Sequence, residues 1–414
     1  MRDIPPEESD GAEAVREAFL ETCRLFDYKL MEPSSLELLE TLEAKSGPSI
    51  RDEIYFFKDK SDRQVGLRFD LTVGITRYVT SRRDLSPPVR LGAYSSVWRY
   101  DEPQYGRYRW FYQWDAELFG PSSPEADAEV IDFSSSLFKR LWTKVVIGLG
   151  SRKILEAYVR GDCGITEEAR VFDMLRAVDK LSKKSIEEIA QEYSQSFSKS
   201  QLEQVGRFAD LKGEPEKVAA SLSELKVDAA PLLQIIDALK AREVRHVSLD
   251  LSVVRGIDYY TDMVFEAFDR DNPRLGSLCG GGRYDSLPAI YERPELGATG
   301  VAGGVERAVL AYKIKRENIE RIFVAPIGNE VKVNTTAVSI AANLRREGIP
   351  AQSEITGRSL RKILESQSAL GTKAVVIVGE RELASNSVKV KWMKNGEEST
   401  VKISELKTFL KSNG

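Results

Sequence analysis

Apolar positions recur at helical spacing over residues 11–29 and lead into Tyr28-Lys29-Leu30-Met31-Glu32-Pro33, a strand stopped by proline. A charged hairpin is expected around Tyr55 to Arg63, followed by a strand from Gln64 to Phe69. Residues 89–98 and 107–119 alternate about a polar turn, Asp101 to Gly106, which predicts a long antiparallel hairpin. From 152 to 243 the chain is rich in Lys, Glu, Ser and Leu and poor in strand formers, so a run of helices is expected there. Strand patterning resumes over Val247 to Val254 and closes with Thr299 to Gly304, which enters a helix at Val305. Past Arg316 to Arg321, Ile322 to Pro326, a helix at 333–346, Ala351 to Glu354, a helix at 358–369 and Ala374 to Val378 follow in β-α-β-α-β order.

The pattern predicts three parts. Residues 1–150 and 246–318 form an α+β domain, an antiparallel sheet flanked by helices. Residues 151–245 are a helical insertion, and 319–414 a C-terminal α/β domain with a mixed sheet.

Composition narrows the function. With 414 residues, 42% hydrophobic and 30% charged, the chain can bury one large core or two to three ordinary ones. No apolar run approaches the ~20 residues of a bilayer span, and Met1 to Glu8 lacks the apolar stretch of a signal peptide. Cys23, Cys163 and Cys279 are odd in number and far apart. They support neither a disulfide framework nor a zinc cluster, and a reducing cytoplasm is the simple reading. The net charge of −4 hides a split. Residues 321–414 carry 15 Lys and Arg against 9 Asp and Glu, a net of +6, while the preceding part carries 45 against 55, a net of −10. The C-terminal part is therefore the better candidate for meeting a polyanion, although ordinary proteins also show splits of this size. His246 is the only histidine. Histidine general-base, Ser-His-Asp and imidazole-metal mechanisms are thereby all but excluded, and His246 itself reads as structural.

The candidate chemistry is concentrated in a few segments. In Arg255-Gly256-Ile257-Asp258-Tyr259-Tyr260-Thr261 a guanidinium that cannot shed its charge follows a buried strand and calls for an anion. Two tyrosines beside it can hold a flat polar ligand. The run Cys279-Gly280-Gly281-Gly282-Arg283-Tyr284-Asp285 permits close backbone approach, but it lacks the strand-to-helix context of a dinucleotide fingerprint or P-loop. Arg99, Arg107 and Arg109 surround the hairpin turn, as in a triphosphate clamp; taken alone, a solvated basic tip explains them at least as well. By the two-residue period Arg109, Phe111, Gln113, Asp115 and Glu117 share one face, and polar groups on a covered face imply a wet cavity or a ligand. Asp70 by itself reads first as the N-cap of a helix over 71–79. Arg307, after the glycines of 300–304, could equally sit on the surface.

Five segments, in order, resemble the signatures of histidyl-tRNA synthetases, within the class II aminoacyl-tRNA synthetases. They are the helix and strand of 13–33, Arg68-Phe69-Asp70-Leu71-Thr72, Arg99 through Gly120, the segment 255–261 with 279–285, and Thr299 through Arg307. Residues 370–383 resemble the anticodon-binding module of class IIa enzymes. The resemblance implies that Asp70 and Thr72 hold the substrate ammonium, and that Gln113, Glu117, Tyr259, Tyr260 and Tyr284 shape the histidine pocket. It assigns Arg99, Arg255 and Arg307 to catalysis, places Arg99, Asp101, Arg107, Arg109, Arg255 and Arg307 around ATP, and sets Gln104 against the tRNA acceptor end. It further implies ATP with Mg2+ and no zinc, L-histidine and tRNA(His) as substrates, a homodimer, no membrane association, and no metal ligand from the protein. Trp110, Asp101 and Asp262 depart from the family pattern. The competing reading is a catalytically silent, synthetase-like regulatory subunit of ATP phosphoribosyltransferase, which shares the fold but drifts at the arginines.

Overall fold

The computed structural model describes residues 3–44, 50–100, 108–181, 184–255, 259–312, 321–328 and 330–412. The chain forms two compact units, Met1–Ile314 and Lys315–Gly414.

The first unit opens with a helix, Pro6–Leu25, whose apolar side places Val15, Phe19 and Cys23 in the core. Its strands are Lys29–Leu30 (β1), Leu36–Leu38 (β2), Phe56–Lys58 (β3), Gln64–Leu67 (β4), Val89–Trp98 (β5) and Trp110–Gly120 (β6). Val145–Ser151 (β7), Lys212–Gly213 (β8), Val247–Asp250 (β9), Met263–Asp269 (β10), Ser277–Arg283 (β11) and Gly297–Gly304 (β12) complete the set. Nine of them build one sheet in the order β1-β5-β6-β12-β11-β10-β7-β9-β8, and β2-β4-β3 form a small separate sheet. The central run from β5 to β7 is antiparallel, as expected. Both flanks differ from that expectation: β1 joins β5 in parallel, and β9 joins β7 in parallel. Parallel partners need long crossovers, and the second pair has one in the helical run between β7 and β9. The paired part of the hairpin extends from Val89↔Phe119 to Trp98↔Trp110.

Alternation along β6 divides the interior. Trp114, Ala116 and Leu118 enter a large core with Phe19, Phe133 and Phe138. On the other face Phe111 and Phe119 border a second core with Leu71, Val73, Ile75 and Tyr284. A fully buried aromatic contributes about 1.5–3 kcal/mol through its removal from water, so each face is strongly fixed in register. Helices from Arg152–Gly161 to Ala230–Ala241 fill the predicted helical stretch and direct Met174, Leu202 and Leu239 into the first core. Two of them begin with reciprocal capping boxes, Ser185 with Glu188 and Ser198 with Gln201.

One expected strand is shorter than its pattern. β9 stops at Asp250, not Val254, because Asp250 Oδ1 accepts from the Ser252 N–H at 3.0 Å and the Val253 N–H bonds back to the Asp250 carbonyl at 3.2 Å. That turn brings Asp250 and Val253 carbonyls against Gly150 of β7, where a Cβ would collide with both. His246 is exposed, with φ +62°, and its carbonyl accepts the Ile147 N–H at 2.9 Å.

The second unit contains Ile322–Pro326 (β13), Ala351–Ser353 (β14), Ala374–Val378 (β15), Ser387–Trp392 (β16) and Glu398–Lys402 (β17). Their order is β14-β13-β15-β16-β17, parallel across the first three and antiparallel beyond. This is the mixed α/β sheet expected, with helix Val331–Arg346 supplying Val333, Ile340 and Leu344 to its core. Among the described residues, no helix is long and apolar enough to cross a membrane.

Candidate active site

The polar face of β6 is covered, not solvated. Gln113, Asp115 and Glu117 are 4%, 0% and 1% exposed, so each must find partners inside the protein. Gln113 Nε2 donates to Asp115 Oδ1 at 2.9 Å. Glu117 Oε1 accepts from the Thr72 hydroxyl at 2.6 Å, and its other oxygen accepts from the Tyr284 phenol. Asp115 Oδ2 lies 3.2 Å from the same Thr72 hydroxyl. Glu117 has this room because Gly300 stands directly opposite it on β12, where any Cβ would land on the carboxylate.

Thr72 opens the helix Thr72–Ser81. Asp70, two residues before it, has both the capping role and a spare oxygen: Oδ1 accepts the Val73 N–H at 3.2 Å, while Oδ2 is buried with no hydrogen-bond partner among the described residues. Burial pushes the Asp70 carboxyl up to about 6, against the pull of the Val73 N–H, of Arg99 and of the nearby Tyr259 phenol. Burial likewise raises Asp115 and Glu117, with the neighbouring carboxylates adding to it. The tyrosines complete the wall. Tyr259 lies 4.9 Å from Tyr260 and 5.6 Å from Tyr284, ring to ring, and all three are buried.

Two arginines border this cluster. Arg99 donates through Nε to the Phe69 carbonyl at 2.9 Å and through a terminal nitrogen to Gln113 Oε1 at 3.2 Å. Arg255, at φ +59°, is held by Glu266 of β10 at 2.7 Å and lies 5.9 Å from the Tyr260 ring. Its Nε is buried without a hydrogen-bond partner among the described residues, and Gly280 clears its path: a Cβ there would lie 2.5 Å from the guanidinium. Arg307 donates to the Ser277 carbonyl at 2.8 Å, at the start of β11, roughly 10 Å along that strand from Gly280. Arg109 lies 4.4 Å over the Tyr100 ring. Asp101, Gln104 and Arg107 lie outside the described residues.

Of the residues singled out from sequence, Asp70, Thr72, Arg99, Gln113, Glu117, Tyr259, Tyr260, Tyr284 and Arg255 therefore share one neighbourhood. Asp115 and Glu266 belong to it as well; the sequence placed Asp115 on the polar face without giving it a role, and Glu266 was not named. Both had a readable signal: Asp115 sits between Gln113 and Glu117 on one strand face, and Glu266 interrupts the apolar run Met263 to Phe268. The departure at Asp262 is structural, since its carboxylate accepts from the Ser151 hydroxyl at 3.0 Å beside the helix Arg152–Gly161. Among the described residues no group of three or more His, Cys, Asp or Glu could hold a metal ion.

Comparison with known proteins places this geometry in context. The family model described as histidyl-tRNA synthetase matches residues 1–308, and that described as anticodon binding domain matches 321–413. The chain is 33% identical to the histidine–tRNA ligase of Pyrococcus furiosus, over 99% of this chain and 97% of that protein. It is 35% identical to the histidine–tRNA ligase of Pyrobaculum calidifontis, over 98% and 96%. In structure it resembles the histidyl-tRNA synthetase of Nostoc sp. PCC 7120, with a TM-score of 0.81 and 21% identity over 100% and 98% of the two chains. It also resembles a Bacillus halodurans C protein titled an ATP phosphoribosyltransferase regulatory subunit/histidyl-tRNA synthetase, at 0.73 and 23% over 92% and 97%.

Proposed function

Because the chain belongs to the histidyl-tRNA synthetase family of aminoacyl-tRNA ligases, we propose that it joins histidine to tRNA(His) in two steps. The histidine carboxylate attacks the α-phosphorus of ATP, releasing pyrophosphate and leaving histidyl-adenylate. The terminal hydroxyl of the tRNA then takes the acyl group and AMP departs. No protein nucleophile is needed; positioning and charge neutralisation carry the rate.

The observation that carries this reading is the buried acid–tyrosine cluster bordered by Arg99 and Arg255. Glu117, fixed by Thr72 and Tyr284, presents a carboxylate suited to accept an imidazole N–H, which an apolar amino acid cannot supply. The spare oxygen of Asp70 suits the substrate ammonium, together with Thr72. Tyr259 and Tyr260 shape the walls. Arg99 and Arg255 would meet the α-phosphate from two sides, with Arg307 towards the outer phosphates. Asp101, Arg107 and Arg109 are assigned to ATP and Gln104 to the tRNA acceptor end on the family likeness alone. Magnesium would accompany ATP and neutralise its phosphate charge; no residue is assigned to it.

A homodimer is proposed from the sheet edge at β1, where Leu30 is 56% exposed, and from the end of the first helix, where Leu25 is 60% exposed. Anticodon contact is proposed for the basic second unit, and residence in the cytoplasm for the whole. The silent regulatory-subunit reading is not better supported, since Arg99, Arg255, Arg307 and Glu117 are all present. Arg255→Ala tests the assignment. Histidine-dependent ATP–pyrophosphate exchange should be lost, with the thermal midpoint within about 5 °C of the parent; undiminished exchange would end the assignment.

A further inference from the structure

The Thr72 hydroxyl has one proton and two carboxyl neighbours. Glu117 Oε1 is 2.6 Å away and Asp115 Oδ2 is 3.2 Å away, and a hydroxyl can donate to only one of them. The second contact is a hydrogen bond only if that carboxyl carries a proton and donates it to the Thr72 oxygen. Glu117 already accepts from Tyr284 and Thr72, whereas Asp115 has its Oδ1 occupied by the Gln113 amide and its Oδ2 turned to Thr72. Both contacts are satisfied when one carboxyl of the pair is protonated and donates to Thr72 while the other is ionised and accepts from it; one such arrangement runs from protonated Asp115 to Thr72 and from Thr72 to ionised Glu117.

The surroundings agree. Asp115 is wholly buried, and the groups facing it are Asp70 and Thr72 from the helix start, Arg99 after β5, Gln113 and Glu117 on its own strand, and the Tyr259 and Tyr284 phenols beyond Glu117. Three buried carboxyls with one nearby guanidinium cannot all ionise cheaply. Burial and mutual repulsion accordingly raise both members of the pair above the ordinary carboxylate range.

We propose that Asp115 is a positioning residue whose proton fills, in the empty site, the place on Thr72 that the substrate ammonium takes on binding. This inference rests on the assignment of Asp70 and Thr72 to the amino group. When histidine enters, an ammonium N–H donates to Thr72 Oγ1, Asp115 gives up its proton to solvent, and its carboxylate faces the new cation. The ammonium's positive charge then stands where the proton of Asp115 was, while the substrate carboxylate lies towards the arginines. The device makes the pocket respond to amino acids that bring an ammonium, and it couples histidine affinity to pH.

The experiment is calorimetric titration of the full-length protein with L-histidine, in buffer pairs of different ionisation enthalpy, between pH 6 and 8. The wild type should release up to about one proton more per histidine than Asp115→Asn, and its dissociation constant should fall by up to roughly tenfold more per pH unit as pH rises below the pair's titration. Asparagine keeps a donor towards Thr72 and an acceptor towards Gln113 but cannot ionise, so the variant should bind more weakly and lose the extra proton release. Equal proton release in the two proteins would overturn the inference while leaving the substrate assignment intact. So would wild-type binding without any release beyond that of the imidazole itself. Absence of histidine binding to the wild type would instead overturn the substrate assignment and the inference together. If Asp115→Asn does not fold, Asp115→Ser is titrated in the same way, and proton release equal to that of the wild type would overturn the inference.

Discussion

Asp70 illustrates how a single side chain can serve fold and chemistry at once. One oxygen caps the helix Thr72–Ser81 through the Val73 N–H, a role any helix start would reward. The other is left buried and without a hydrogen-bond partner among the described residues, a cost that nothing in folding requires. Because the carboxyl is raised to about 6 from an unfolded value near 4, the folded form binds the proton more tightly. The stability this gives is present below about pH 4 and is lost as pH rises through about 6, which leaves roughly 2–3 kcal/mol of burial cost at neutral pH. Asp70→Asn should therefore stabilise the ligand-free protein by about 1–3 kcal/mol at pH 7.5 and by little at pH 4, while histidine binding weakens sharply. Denaturant unfolding at the two pH values measures the first part and calorimetry the second. A uniform loss of stability at both would mean that the carboxylate serves only as a cap.

At the scale of elements, the site is made by strands that approach one another more closely than side chains would allow. Gly300 on β12 admits Glu117, and Gly280 on β11 admits the Arg255 guanidinium. Gly280→Ala should displace Arg255 and lower histidine-dependent pyrophosphate exchange by roughly tenfold or more, since small misplacements of a catalytic group are costly. Stability should fall as well, because a Cβ would also lie 3.0 Å from the Phe265 carbonyl and moving Arg255 breaks its pair with Glu266, so exchange is compared at temperatures where the variant stays folded. Full exchange in the variant would show that Arg255 need not lie where it does. These same strands explain what was legible in the sequence. The hairpin of β5 and β6 was plain because its alternation is long and its turn polar, and that period alone put Gln113, Asp115 and Glu117 on one face. The end of β9 was not plain: Leu251, Val253 and Val254 continue the apolar pattern, and only the Asp250 turn, a local hydrogen-bond choice, ends the strand. Nor could a linear pattern pair Arg255 with Glu266, because that contact depends on how Arg255, at positive φ, turns back onto β10. The parallel edges of the main sheet were hidden for a related reason, since strand direction is set by distant crossovers.

On the scale of the molecule, the two units divide the work as their chemistry suggests. The first has a large two-faced sheet with buried acids and tyrosines on one side. The second is a small mixed sheet with a net charge of +6 over residues 321–414, suited to a polyanion through counter-ion release. What remains central is that the buried acid–tyrosine cluster of the first unit admits an imidazole-bearing amino acid and joins it to ATP. The direct measurement is ATP–pyrophosphate exchange by the full-length protein with each of the twenty amino acids supplied singly. Exchange should appear with histidine and fall to background with the other nineteen, because histidine combines an ammonium for Asp70 with a small ring N–H for Glu117, and tryptophan, which also has a ring N–H, brings a much larger ring. Exchange driven by another amino acid, or by none, would contradict the account.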